Sequence, residues 1–309
     1  MIVMRTSSCL AVGQHRAIAG RESRRKVANR LPLLRAKVYD GTMRWIVGWA
    51  ERFGRPLGGL WRRTEPLRAD VLRLLYPPRC ALCDADLATS AGGAEVCDGC
   101  ETAIATPNWV ACDRCAGPLQ GSESPVGSCF YCRRWGLDFD TTVALAAYRG
   151  RLREAVLRMK WKGGEPIAEA LGQLFCARRG DSIRALRPDV VVPVPMHWSR
   201  RWVRGTNSPD ILAAKVASFL HLPCRSRLLK LTRNIPAQKG LGMRERRRNL
   251  DGAFRVAKGY DIRDARVLLV DDVLTTGATC HFAAKSLKTA GAVSVAVAVL
   301  ARTIPEWGG

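Results

Sequence analysis

Four Cys-x-x-Cys pairs constrain this chain more than any other feature: Cys80/Cys83, Cys97/Cys100, Cys112/Cys115 and Cys129/Cys132. Thirteen residues separate the first pair from the second, and thirteen again separate the third from the fourth, which reads as a tandem duplication. One such knuckle aims two thiolates at one point, and two knuckles close a tetrahedral four-cysteine site suited to a soft divalent ion. The spacing therefore predicts two structural zinc ions. Four-thiolate ligation by itself leaves an iron–sulfur cluster open as the rival. Disulfides need an oxidising compartment, and residues 1–20 offer only short apolar pieces broken by Gln14, His15 and Arg16, with no secretory core. The cysteine segment is poor in large apolar side chains, so metal has to supply its folding energy. Cys9, Cys176, Cys224 and Cys280 have no partner at ligand spacing and are expected to be inert thiols.

Charge divides the 309 residues into three zones and gives them a formal net charge of +23. Residues 1–75 carry 16 Lys/Arg against 5 Asp/Glu, residues 76–139 carry 4 against 8, and residues 140–309 carry 30 against 14. The expected division is a basic extension over 1–64, a double zinc ribbon over 65–136 and an α/β domain over 137–304. The extension, interrupted by Gly and Pro, reads as a solvated, poorly ordered segment; an amphipathic surface that touches membrane or nucleic acid is the alternative. No run reaches the ~18 apolar residues of a membrane helix, and a cytoplasmic protein is expected. Zinc tetrathiolates add negative charge to an already acidic middle, so phosphate backbones are repelled there and a scaffold or partner-docking role fits the ribbons better.

From residue 140 the pattern alternates. Thr141 to Tyr148, Asp189 to Val194, Ala265 to Val270 and Val293 to Leu300 read as strands. Leu152 to Met159, Ile167 to Arg178, Asp210 to Leu220 and Phe282 to Ala290 read as helices. Such alternation predicts a mostly parallel sheet with helices between its strands, and a ligand site beyond the carboxyl ends of the strands.

One strand end carries the chemistry. The apolar run Arg266 to Val270 leads into Asp271-Asp272-Val273-Leu274-Thr275-Thr276-Gly277-Ala278-Thr279, and a helix follows. Gly277 lets backbone approach a ligand closely. The amides of Thr275 to Ala278, with the hydroxyls of Thr275, Thr276 and Thr279, suit a phosphate at a helix N-terminus. Asp271 and Asp272 suit the vicinal hydroxyls of a sugar. Phosphate plus vicinal diol describes a ribose 5-phosphate, and the segment resembles the phosphoribosyl pyrophosphate (PRPP) loop of type I phosphoribosyltransferases. Two further segments narrow the resemblance: Val190 to Trp198 followed by Arg200-Arg201-Trp202-Val203-Arg204-Gly205, and Pro236 to Leu241 with Arg244, Arg247-Arg248-Asn249 and Gly252-Ala253-Phe254. With the double ribbon ahead of them, residues 65–303 resemble the ComF family, competence-associated phosphoribosyltransferase-like proteins. The stretch Gly205-Thr206-Asn207-Ser208 departs from the family, which usually has an aromatic residue and Gln around this Asn.

The resemblance implies a type I phosphoribosyltransferase-like α/β fold behind the ribbons, with PRPP and Mg²⁺ as ligands. It implies that Asp271 and Asp272 hold the ribose hydroxyls, that Thr275, Thr276, Gly277, Ala278 and Thr279 cradle the 5-phosphate, and that Pro195, Met196 and His197 lie in the loop approached by the diphosphate. The segment Arg233 to Arg248, with Arg244 as a ligand, becomes a loop that closes over the site. Lys160 stands where the family tends to carry a lysine; it is either a phosphate ligand or a surface lysine with a buried stem. Independently of the family, residues 225–248 hold nine Lys/Arg against the single acid Glu245, which suits a departing diphosphate with Mg²⁺. The same basic run, with Trp198 and Trp202 interleaved among Arg200 to Arg204, also suits single-stranded DNA. Three roles follow: a transferase that displaces diphosphate with a nitrogen nucleophile, a non-enzymatic DNA-uptake accessory that binds single-stranded DNA or a partner such as a helicase, and a PRPP sensor without turnover.

Overall fold

Two runs of Val, Leu and Ala make the centre of the molecule: Arg266–Leu274 (β5) and Ser294–Arg302 (β6), paired in parallel from Arg266↔Ser294 to Leu274↔Arg302. Runs this apolar are buried on both faces, as parallel strands between helices are. Thr141–Ala147 (β1) pairs with β6 and Val190–Pro193 (β2) with β5, both parallel, so the sheet order is β1-β6-β5-β2. The computed structural model describes residues 77–87, 95–104, 110–119, 129–196, 207–233 and 243–304. The basic extension and the segments 197–206 and 234–242 lie outside the described residues.

Helices cover both faces of the sheet. Gly150–Arg158 (α3) and Glu165–Ala185 (α4) connect β1 to β2, and Ser208–Leu220 (α5) follows β2. α4 packs on β1 and on α5, and α5 packs on β2 and β5. Gly172 and Gly180 make that approach possible: a Cβ on Gly180 would sit 2.4 Å from Phe219. On the other face Ala278–Thr289 (α7) lies against β5 and β6. One apolar cluster there joins Val267 and Leu269 to Val295, Val297, Phe282 and Leu287. The alternate residues Val270, Ala298 and Leu300 line the α4/α5 side with Phe175, Leu212 and Val216. That two-residue alternation is the pleat of the strands.

Three elements depart from the sequence expectation. β5 runs four residues past Val270, so both aspartates lie within the strand. α7 begins at Ala278 rather than Phe282. Between α5 and β5 the chain makes a small antiparallel hairpin, Leu229–Leu231 (β3) with Phe254–Val256 (β4), and Met243–Leu250 (α6) precedes β4.

The cysteine module repeats its local geometry as well as its spacing. In the first knuckle Cys80 N donates to Ala85 O and Asp84 N donates to Cys80 O, both at 2.8 Å. In the second, Cys112 N donates to Gly117 O and Ala116 N to Cys112 O, again both at 2.8 Å. The bridges Arg79↔Asp86 and Ala111↔Pro118 flank them at identical offsets, and Asp84 and Ala116 both take positive φ. The second pair of each set opens a short helix, Asp98–Ile104 (α1) after Cys97 and Phe130–Trp135 (α2) after Cys129. The described residues fall into two compact units, one ending at Cys97 and one beginning at Asp98. Among the described residues no helix is long and apolar enough to cross a membrane.

Candidate functional site

The four sulfurs of Cys80, Cys83, Cys97 and Cys100 lie within 4.8 Å of one another, and so do those of Cys112, Cys115, Cys129 and Cys132. Within the sets, Cys83 and Cys97 are 3.6 Å apart, Cys112 and Cys132 3.7 Å, and Cys115 and Cys129 3.5 Å. A zinc ion bonded to four sulfurs at about 2.3 Å requires edges of about 3.8 Å, so both sets fit one tetrahedral ion. A polynuclear iron–sulfur cluster shares its thiolates among several irons and spreads them wider. These are two structural zinc sites. All four cysteines of the second set are buried, and its neighbours include Leu137 and Phe139 of the main apolar cluster.

At the carboxyl end of the sheet the strands deliver the acids. Asp271 and Asp272 follow Val270 on β5, beside the point where Val194 N, leaving β2, donates to Val270 O at 2.8 Å. Pro195 and Met196 continue from there, half-buried. Successive strand residues face opposite sides, so the two carboxylates have different surroundings. Asp271 accepts from Asp272 N at 2.8 Å and from the Cys280 thiol on α7 at 3.8 Å. Asp272 pairs with Lys160, Nζ to Oδ2 2.7 Å, from the turn that follows α3. Burial, and after it the Asp272 charge, push the Asp271 carboxyl up to about 7, against the opposing pull of the Asp272 amide, Lys160 and Cys280. Burial, with Asp271 next, also holds Cys280 well above its ordinary range, so it stays a thiol.

Thr275, Thr276 and Gly277 make the turn from β5 into α7. Gly277 has φ +79, the left-handed region open to glycine. Thr276 Oγ1 accepts from Ala278 N at 3.3 Å and caps the helix. Thr279 stands half-buried in its first turn, where backbone N–H groups lack intrahelical partners and suit an anion. The structure thus gathers Lys160, Asp271, Asp272, Pro195, Met196 and the 275–279 turn at one end of the sheet. His197 lies outside the described residues; Arg244 falls within α6, but its side chain is not among those described.

Two further residues frame the site and carry little signal in the sequence. Arg302, at the end of β6, is 3% exposed and donates to the carbonyls of Cys115, Leu274, Thr275 and Thr303. Its one sequence signal is a charged residue closing the run Ser294 to Ala301. His281 on α7 is buried between Asp138 and Arg247; its Nδ1 is 3.4 Å from Asp138 Oδ2 and its Nε2 3.1 Å from Arg247. Burial first, then the Arg247 charge against Asp138, holds its pKa below the ordinary value.

A four-stranded parallel sheet with two acids and a Thr-Thr-Gly turn at one strand end, preceded by two four-cysteine sites, defines a phosphoribosyltransferase-fold protein with a double zinc ribbon. The double zinc ribbon family model matches residues 71–136, and the phosphoribosyl transferase domain model matches residues 222–307. The chain is 32% identical over 236 residues to the DNA utilization protein YhgH of Escherichia coli K12, covering 75% of this chain and 100% of the relative. It is 30% identical over 228 residues to competence protein F of Haemophilus influenzae, covering 72% of this chain and 96% of the relative. To competence protein ComFC of Bacillus subtilis it is 26% identical over 219 residues, 68% of this chain and 85% of the relative. The chain belongs to the ComF family.

Proposed function

We propose that this protein binds PRPP and transfers its phosphoribosyl group to a nitrogen acceptor. In that step the bond from C1 to the diphosphate oxygen breaks, a C1–N bond forms, and the acceptor nitrogen loses its proton. The observation that carries the reading is the conjunction of Asp271 and Asp272 with the Gly277 turn at the start of α7, with Lys160 held 2.7 Å from Asp272. Asp272 and Asp271 hold the ribose hydroxyls and stabilise positive character on the sugar ring. The 275–279 turn holds the 5-phosphate. Lys160 and the basic residues of α6 neutralise the diphosphate, and Mg²⁺ supplies further charge neutralisation of that group when bound. Relatives named for competence and for DNA utilisation support a role beside DNA uptake, and the zinc thiolates suit a reducing, cytoplasmic compartment. Titration calorimetry with PRPP and Mg²⁺, followed by diphosphate-release assays over a panel of nucleobases, tests the proposal. Absence of PRPP binding overturns it.

A second reading rests on the hairpin. Lys230 on β3 is paired directly opposite Arg255 on β4, and both are exposed. Like charges at a cross-strand pair are unfavourable, and a polyanion laid over them relieves the cost. Single-stranded DNA bound there makes the protein a DNA-handling accessory, with or without turnover.

A further inference from the structure

The second zinc ribbon and the 275–279 turn meet in one side chain. Arg302 Nε donates to the carbonyl of Cys115, a zinc-site residue, at 2.8 Å. Its Nη1 donates to Leu274 O at 3.0 Å and to Thr275 O at 2.5 Å, and the guanidinium stands 5.1 Å from the Tyr131 ring. Thr303 N adds a bond to Leu274 O at 3.0 Å. The same knuckle is held from β1, where Thr141 Oγ1 donates to Asp113 O and Thr142 Oγ1 to Arg114 O, both at 2.7 Å. Three consecutive carbonyls, those of residues 113, 114 and 115, are thus fixed to the two strands β1 and β6.

Two physical consequences follow. In a planar trans peptide the N–H points opposite to the C=O. Holding the carbonyls of Leu274 and Thr275 on Arg302 therefore turns the amides of Thr275 and Thr276 away from it: Arg302 shares the first peptide with Thr303 N and holds the second by its own Nη1. Those are cradle amides in the proposed phosphate site. Second, Arg302 is buried, and among the described residues no carboxylate pairs with it. A buried charge with only carbonyls around it is costly unless opposite charge lies near. A zinc ion with four thiolates carries two net negative charges, and Cys115 is one of the four.

We propose that Arg302 is a positioning residue that couples zinc in the Cys112/Cys115/Cys129/Cys132 site to the conformation of the phosphate turn. Loaded with zinc, the second ribbon supplies the counter-charge that keeps the guanidinium buried, and the guanidinium keeps the two amides aimed. The ribbon is then a working part of the ligand site. This goes beyond the proposed function and rests on it only for the identity of the ligand.

The test uses the full-length protein and two variants, Arg302→Lys and Cys112→Ser. Amide hydrogen exchange over residues 271–280 reads the turn without any ligand, and titration with ribose 5-phosphate reads the cradle. Lysine keeps the charge but cannot bond the separate carbonyls together. Arg302→Lys is expected to retain zinc, to raise exchange in the turn about tenfold, and to weaken ribose 5-phosphate about tenfold. Exchange at Val267 to Leu269 stays at the parent value. Cys112→Ser reproduces the changed exchange in the turn. Unchanged exchange in both variants overturns the coupling. A general rise across β5 and β6 in Arg302→Lys also overturns it, because the residue then only holds the fold. If the exchange changes appear but the parent protein binds no ribose 5-phosphate, the coupling stands and the phosphoribosyl reading falls.

Discussion

Lys160 Nζ lies 2.7 Å from Asp272 Oδ2, and both side chains are largely withdrawn from solvent. The pair joins the turn after α3 to the end of β5 across 112 positions of sequence. Removing one partner of such a pair leaves the other charge poorly solvated. Lys160→Ala is therefore expected to weaken PRPP binding at least tenfold. It should also raise the Asp271 pKa further, since Lys160 is one of the groups holding that carboxyl down. Calorimetric affinity and carboxyl titration by NMR check the two effects. Parent-like values for both would sink the role of Lys160 in the site.

Asp271 makes folding stability depend on pH with a definite sign. Its pKa is raised from 3.8 to about 7 by folding, first through burial and then through Asp272. The folded state thus favours the proton. The contribution of Asp271 is fully present below about pH 4 and is lost as pH rises through about 7. Asp271→Asn removes that dependence. The variant is expected to be more stable than the parent at pH 8 by about 1 kcal/mol or more, and to have little advantage at pH 4. Urea denaturation at the two pH values measures it. Equal destabilisation at both would contradict the assigned environment.

Gly277 carries two constraints of different kinds. Its φ of +79 penalises any side chain, and a Cβ there would lie 3.2 Å from Leu137 Cδ2 and 3.5 Å from Phe139 Cζ. A side chain thus runs into the apolar cluster rather than into the phosphate space, where a sequence view of the loop would put it. Gly277→Ala is expected to lose roughly 1–2 kcal/mol from the left-handed conformation alone. Gly277→Val should lose more, because a branched group meets Leu137 and Phe139. Thermal unfolding separates the two, and a Val variant as stable as the parent is the outcome that counts against this geometry.

The zinc content follows from sulfur geometry. Purified protein is expected to hold two zinc ions per chain, and Cys112→Ser to hold one. Because the second set is packed with Leu137 and Phe139, its loss should also lower the unfolding temperature of the α/β unit. Metal analysis with calorimetry checks both points. Visible absorption from iron–sulfur charge transfer in anaerobically purified protein would replace zinc with a cluster.

What the sequence disclosed was local, and what it withheld was long-range. The run Asp271 to Thr279 is contiguous, so its acids, hydroxyls and glycine could be read as one site before any fold was known. The knuckles were legible for the same reason. The end of β5 was not: acids are poor strand formers, and only pairing with Val299 to Arg302 on β6 carries the strand through Asp271 to Leu274. Helix α6, Met-Arg-Glu-Arg-Arg-Arg-Asn-Leu, has too few apolar residues to show a period. Arg302 meets Cys115 across 187 residues of sequence and Thr275 across 27, so no window could connect them.

The transferase and DNA-handling readings part on salt and on charge. Single-stranded DNA held by exposed cations such as Lys230, Arg255, Arg227 and Arg233 releases counterions on binding. Its affinity should fall steeply between 50 and 200 mM salt, roughly in proportion to the number of phosphates contacted. Exchanging Lys230 and Arg255 for Gln should flatten that slope by about one to two units and leave PRPP binding unchanged. Asp272→Asn should do the reverse. It removes a proposed ligand for ribose hydroxyls, so PRPP weakens about tenfold to a hundredfold. It also removes negative charge, so affinity for a polyanion holds or rises. Fluorescence anisotropy with a labelled oligonucleotide at several salt concentrations, run beside PRPP calorimetry on the same variants, gives both readings. DNA binding abolished by Asp272→Asn, or insensitive to salt, would place the nucleic acid in the β5 site instead of on the hairpin.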